Sequence, residues 1–328
     1  MKINILSFLS LLFIYSYGFA QKTISSPDDD LFISGLSPNI LQKGVLEVNF
    51  NSVLFSNWNA FYESVRAARI IDRRRITEFS SNIDVYYGTT KNGRWDLGLR
   101  VNYARRLDAN NAQSGVFDVF GNQGTIANTT GIDKTYKGIR EIGVRFRVVP
   151  FKSIKNLTLN TGYSFAPSLS EETQQFLGAD RNRVDINTTY FVNLNTRTNS
   201  SYYYFALSGS AAIPKNNSLA DRNEFNDEVS YQASGSFFLI QRINRLTIFP
   251  GITYGIGFKP PYVEGKTLVR TNSQVLGTLG FQFEFTDNFS LNLSSLIPFS
   301  LENSYKLVQP VKESYSFISL GGRLLLNR

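Results

Sequence analysis

Segments of alternating apolar and polar residues arrive in pairs along this chain. The gaps within a pair are short, at 89–94, 150–156, 196–201, 242–245 and 286–288. The gaps between pairs are longer and polar, as at 107–135 and 168–183. A two-residue period marks a strand whose two faces meet different surroundings. Antiparallel strands joined by alternately tight and long connections are the pattern of a barrel that crosses a membrane, with short turns on one side and long loops on the other. About twelve such strands can be counted. The chain therefore reads as all-β, a transmembrane up-and-down antiparallel β-barrel. Strands of a secreted β-sandwich alternate too, and the regular turn spacing is what decides between the two.

The alternation assigns each strand a lipid face and a lumen face. A first strand at 44–54 turns Leu46, Val48, Phe50 and Leu54 outward and Glu47, Asn49 and Asn51 inward. A second, at about 77–87, turns Asp84 and Tyr86 inward. The turn Lys91-Asn92-Gly93 follows, and Asn-Gly accepts the positive φ of a tight hairpin. The third strand is the cleanest: Trp95, Leu97, Leu99, Val101 and Tyr103 alternate with Asp96, Gly98, Arg100 and Asn102. Later strands place Glu141, Arg145, Arg147, Asp185, Glu284 and Arg323 inward by the same rule. The expected lumen charges are thus Glu47, Asp84, Arg100, Glu141, Arg145, Arg147, Asp185, Glu284 and Arg323. Their signs nearly balance.

Three stretches organise the chain. Residues 1–20 read as a signal peptide: Lys2 is the basic start, 5–14 a short apolar core, and Gly18-Phe19-Ala20 a cleavage site before Gln21. The core is shorter than the roughly 20 residues a membrane helix needs. Residues 21–43, with an apolar patch at Leu31-Phe32-Ile33, are either a periplasmic N-terminal tail or a plug that enters the lumen. Residues 44–328 form the barrel. Aromatics make up 14 % of the chain, which suits girdles at two membrane interfaces. Cysteine is absent; a closed barrel pairs every strand and needs no disulfide.

The strand pairs, the Ala20-Gln21 junction and a strand at 315–326 that ends the chain give it a resemblance to bacterial outer-membrane β-barrel proteins. The Asn- and Tyr-rich strands resemble those of Bacteroidota in composition. The resemblance implies an outer-membrane location, insertion by the barrel-assembly machinery and contact with outer-membrane lipid. The chain ends Leu326-Asn327-Arg328 rather than in the aromatic that many such barrels carry, so recognition by that machinery would fall to Tyr315, Phe317 and the apolar residues after them. The resemblance brings no named function with it, because fold alone carries none.

The chemistry is bounded by what is missing. Histidine is absent, so Ser-His-Asp hydrolysis and Asp-His proteolysis of the kinds some outer-membrane barrels perform are excluded. With neither His nor Cys, the usual transition-metal ligands are lacking as well. Asp28-Asp29-Asp30 has no accompanying calcium-loop pattern. Glu141 and Asp84 could approach as a carboxylate pair, or serve as salt-bridge partners for Arg100 and Arg145. No enzyme activity, metal or cofactor is expected.

The sharpest basic signal is Arg66, Arg69, Arg73, Arg74 and Arg75, crowded into the first long loop. A short helix over 59–71 would put Arg66, Arg69 and Arg73 on one face. They form either an anion or lipopolysaccharide site, or a solvated loop paired with Asp72, Glu63 and Glu78. Nucleic acid is not an expected partner for a surface that faces the periplasm or the outside. The polar lumen points to a channel or transporter for small hydrophilic solutes, weakly anion-preferring. The alternative is a non-conducting surface or assembly component that binds lipopolysaccharide or a partner protein, to which the Gly/Asn/Thr-rich loop at 115–131 is suited.

Overall fold

The computed structural model describes residues 40–62, 70–91, 93–109, 115–121, 127–128, 131–132, 134–194, 201–215, 229–259, 269–303 and 312–326. The signal segment 1–20, Asp28–Asp30, Leu31–Ile33, Arg66 and Arg69 lie outside these residues.

The strands are β1 (Leu46–Tyr62), β2 (Ile70–Gly88), β3 (Trp95–Ala109), β4 (Ala127–Asn128), β5 (Gly131–Ile132), β6 (Lys134–Val148), β7 (Leu157–Phe165), β8 (Arg181–Asn193), β9 (Ser201–Pro214), β10 (Ser230–Ile243), β11 (Leu246–Lys259), β12 (Val269–Thr286), β13 (Phe289–Asn303) and β14 (Lys312–Leu326). β4 and β5 pair only with each other, within the long β3–β6 connection. The other twelve close into one antiparallel barrel, each beside its sequence neighbour, with β14 pairing back onto β1 from Leu46↔Leu326 to Ala60↔Lys312. Closure leaves no edge whose N–H and C=O groups would be bare in lipid.

Turn chemistry fixes one rim. Gly93 has φ 56° in the β2–β3 turn, and Asn244 has φ 56° in the two-residue β10–β11 turn. Both are left-handed positions that Gly and Asn tolerate. The short turns define the periplasmic rim, which the start of β1 and the end of β14 share.

The outer face settles the surroundings. Leu99 is 60 % exposed, Leu207 67 %, Val144 57 % and Ile297 52 %, and they stand on strands all round the barrel. A water-soluble protein rarely exposes so continuous an apolar band, whereas lipid solvates it. Trp95 against Phe146 and Phe283 against Phe285 lie near the periplasmic rim, as a girdle requires. Among the described residues no helix is long and apolar enough to cross a membrane; the strands do the crossing.

Two connections fold back onto the barrel. A 3-10 turn at Val116–Phe120 sits on the outer wall at the loop end, where Val119 is buried with Leu54 and Leu107, and Phe120 meets Phe79 edge-on at 4.9 Å. Helix α1 (Glu171–Leu177) lies against the inner wall: Leu177 packs with Ala104 and Tyr136, and Phe176 stacks on Tyr136 at 4.3 Å. The α1 connection thus narrows the outer mouth.

The hairpin β1–β2 corrects one expectation. Residues 59–62 and 70–71 are strand, not helix, with Phe61 paired to Asp72 and, across a bulge, Tyr62 to Ile70. β-branched Ile70 and Ile71 and the aromatic Phe61 and Tyr62 favour the extended pairing over helix. Arg73, Arg74 and Arg75 accordingly sit along β2, opposite Ala60, Asn59 and Trp58, rather than within a loop.

Candidate functional site

The interior is built in three storeys. At the periplasmic end a buried ionic network fills one wall. Glu47 accepts from Arg147 Nη1 at 2.9 Å, Arg323 Nε at 2.9 Å and Asn49 Nδ2 at 2.8 Å. Arg147 also donates to both oxygens of Asp96, each at 2.9 Å. The Arg147 guanidinium lies 3.7 Å over the Tyr86 ring, and that ring has room because Gly98 beside it carries no Cβ. Glu47 and Asp96 are fully buried. Charges so deep persist only when every one is paired and hydrogen-bonded.

The strap at residues 40–43 joins this network. The Leu41 amide donates to Asp96 Oδ2 at 3.2 Å, and the Leu41 side chain is buried. Gly44 N bonds back to Gly88 O, which holds the strap across the rim of β2.

The opposite wall of the same storey is apolar. Tyr202, Tyr204, Phe238, Ile240 and Phe249 form a buried cluster inside the barrel on β9, β10 and β11, with Phe191 of β8 against it. The Phe249 ring lies across Gly280 of β12 and the Phe238 ring across Gly251 of β11, positions where a Cβ would strike the ring. Glycine on one strand makes the seat for an aromatic on the next.

The middle storey is a polar chamber of about 360 Å³. Arg100 reaches Asp84 through Nε at 2.5 Å and Nη2 at 2.7 Å. Arg145 crosses β7 over the bare backbone of Gly162 to pair with Asp185 on β8, and also bonds Ser164 at 3.2 Å. Arg140 donates to Glu78 at 3.0 Å. It enters the lumen through a bulge: Asn102 pairs with Glu141 and Tyr103 with Ile139, leaving Arg140 as the extra residue. A bulge re-aims side chains and inverts the alternation beyond it, which also turns Tyr136 inward. Glu141 lies 3.9 Å from Arg140 and 3.3 Å from Arg183. The far wall is neutral, with Ser208, Ser210, Gln232, Ser234 and Gln274.

The outer storey is a second cavity of about 270 Å³ that shares Arg183, Ser210 and Gln232 with the chamber and reaches Gly178 after α1. On α1, Glu172 is exposed, and the Lys134 hydrogen bond, seconded by Tyr136, holds its carboxyl below the usual range. Lys134 Nζ sits at 2.8 Å and Tyr136 Oη at 3.1 Å from Glu172 Oε1.

The charges expected in the lumen fall into separate groups. Glu47, Arg147 and Arg323 share the periplasmic network; Asp84 pairs with Arg100 and Arg145 with Asp185; Glu284 pairs with Arg242 at 2.7 Å near the periplasmic rim. Asp84 and Glu141 do not form a carboxylate pair, because each has its own guanidinium. Arg75 is the one member of the arginine run whose side chain is described, and its Nε is buried without a partner. Asp96, Arg140, Arg183 and the inner aromatic cluster were not anticipated as site residues. Asp96 carries the lumen parity of its strand, and only the bulge reveals Arg140.

No protein-family model matches the chain, and no curated protein matches it. Among solved structures, an outer membrane channel from Pseudomonas putida F1 superposes with a TM-score of 0.55 at 13% identity, covering 93% of this chain and 100% of that one. The fold is that of a bacterial outer-membrane β-barrel. The β domain of the Bordetella autotransporter BrkA gives 0.48 at 8% identity over 85% of this chain and 99% of that one. The Pseudomonas putida toluene transporter TodX gives 0.40 at 11% identity over 88% and 90%. At such identities the likeness is one of fold. With the lipid-facing band of the barrel, it places the chain in an outer membrane.

Proposed function

We propose that this barrel is a channel for small hydrophilic solutes, entered from the loop side and closed at its periplasmic end in the state described. The observation that carries the reading is the pair of adjoining polar cavities, linked by Arg183, Ser210 and Gln232. A barrel whose interior served only stability would fill that space with side chains, as small barrels do. The periplasmic storey supports a gated channel: its side chains are buried, and the strap across its rim is held by the Leu41 amide, the Leu41 side chain and the backbone bond from Gly44 to Gly88.

The pore is proposed to prefer anions weakly. Arg183 and the arginines along the β1–β2 hairpin would raise the local anion concentration, an effect that fades as salt screens it.

Planar-bilayer recording tests the proposal. The wild-type barrel should show brief openings, with reversal potentials at low salt favouring chloride. Leu41→Pro removes both the amide donor and the apolar anchor and should lengthen the openings. Silence from both proteins would refute the channel. That silence would favour the second reading, a non-conducting surface component that binds lipopolysaccharide or a partner protein. The packed periplasmic storey is the observation on its side.

A further inference from the structure

The two walls of the middle chamber differ in kind, and the difference specifies a ligand. The wall formed by β3, β6 and β8 presents guanidinium groups. Most are spoken for: Arg145 is 1 % exposed and pinned to Asp185, and Arg100 is held by two hydrogen bonds to Asp84. Arg183 differs. Its side chain is 37 % exposed, and among the described residues its one contact with a charge is a nitrogen at 3.3 Å from Glu141. It also stands at the junction of the two cavities, so a solute passing from the outer one to the inner one must go by it. The next two strands round the barrel from Arg183, β9 and β10, offer hydroxyl and amide groups: Ser208, Ser210, Gln232 and Ser234. These accept and donate hydrogen bonds but carry no charge.

We infer that the chamber is a binding site for a small hydroxylated monoanion, of the class of sugar acids. The carboxylate would take the open edge of the Arg183 guanidinium, whose planar fork matches a carboxylate's two oxygens. The hydroxyls would be read by the serines and Gln232 on the neighbouring strands β9 and β10. Size agrees: about 360 Å³ lies at the small end of the roughly 300–1,000 Å³ usual for small-molecule sites, which suits one sugar ring rather than a chain of them. Charge agrees as well. The guanidinium groups of Arg100, Arg140, Arg145 and Arg183 line the chamber against the two carboxylates of Glu141 and Asp185, so the lining carries an excess of positive charge. A neutral sugar would leave Arg183 without its anion, and a plain carboxylate would leave the hydroxyl wall unread; each loses part of the recognition.

This inference deepens the channel reading, and its test is independent of conductance. Isothermal titration of the refolded full-length barrel in detergent micelles would use sodium D-glucuronate, D-glucose and sodium acetate as probes. Glucuronate should bind, with glucose and acetate each at least tenfold weaker. Arg183→Gln should weaken glucuronate at least tenfold and leave glucose unchanged. Arg183→Lys, which keeps the charge but not the fork, should fall between. On β9 and β10, Ser210→Ala combined with Gln232→Leu should weaken glucuronate and leave acetate unchanged. The heat-modifiable gel shift of a closed barrel would confirm that each variant is folded, and the Ser210/Gln232 pair decides the matter if Arg183→Gln is not. No glucuronate binding by the wild type, or equal binding by all variants, would overturn the inference. Binding without conductance would sink the channel while keeping the site, and conductance without binding would do the reverse.

Discussion

Glu47→Gln tests the periplasmic network most sharply. The substitution keeps the volume and one hydrogen-bond acceptor, so Asn49 retains its partner, but it removes the charge between Arg147 and Arg323. Arg147 still has both oxygens of Asp96, which limits the damage. Arg323, 7 % exposed, loses the anion facing its Nε. Breaking one partner out of a buried ion pair costs about 3–5 kcal/mol, and the remaining Asp96 contacts put this variant near the lower figure. About 3 kcal/mol is roughly a hundredfold in the folded-to-unfolded ratio, at about 1.4 kcal/mol per tenfold. Asp84→Asn is the comparison. Its pair with Arg100 is part-exposed, at 14% and 25%, so water replaces much of what is lost and about 1 kcal/mol is expected. Guanidinium titration in lipid vesicles, followed by tryptophan emission, measures both. An unchanged midpoint for Glu47→Gln, or a larger loss for Asp84→Asn, would refute the claim that the periplasmic storey is a cooperative seal.

Leu99→Arg puts a charge on the lipid face near mid-membrane and should cost about 2–4 kcal/mol, whereas Ser234→Arg enters the polar chamber and should fold with a far smaller penalty; equal defects in a vesicle-folding assay would refute the assignment of lipid and lumen faces. Gly280→Ala places a methyl group in the Phe249 ring, and overpacking of this kind costs about 1–3 kcal/mol, read as a lowered midpoint in the same titration. A cysteine at Gly121 should label in intact cells with an impermeant maleimide and one at Lys91 should not; the reverse result would invert the topology. The Glu172 carboxyl titrates below its usual value of 4.5, so the hold of Lys134 and Tyr136 on α1 is fully present above about pH 4.5 and is lost as pH falls through the lowered value. Proteolysis within 166–180 should therefore quicken only in acid, and Glu172→Gln should quicken it at neutral pH.

The alternation of apolar and polar residues was enough to specify the barrel, because a period of two assigns every residue to lipid or lumen once one strand is placed. It reached Leu99 and Val144 outside and Glu47, Arg145 and Arg147 inside. It could not say how the inside is filled. Phe238 and Phe249 share the inward parity of Ser236 and Thr247, but hydrophobicity alone would assign them to lipid. What holds them inside is the glycine seat on the next strand, a relation between residues that pairing alone makes neighbours. Arg145 reaches Asp185 by the same device, over Gly162. Arg140 enters through a bulge, which no period can announce.

These departures share a physical origin, and it explains why they gather in the interior. On the outer face each side chain is solvated by lipid independently, so the residue type decides its place. In the lumen a buried charge is stable only beside its counter-charge, and a buried ring only against a surface shaped to receive it. Those conditions couple residues far apart in the chain, such as Glu47 with Arg323 or Phe249 with Gly280. Arg183 is the exception that exposes the rule. It is the most open of the ion-paired guanidinium groups lining the chamber, and it stands where the two cavities meet. A charge left half-free inside a barrel that pairs its other lining arginines so closely is best explained by a partner that comes and goes.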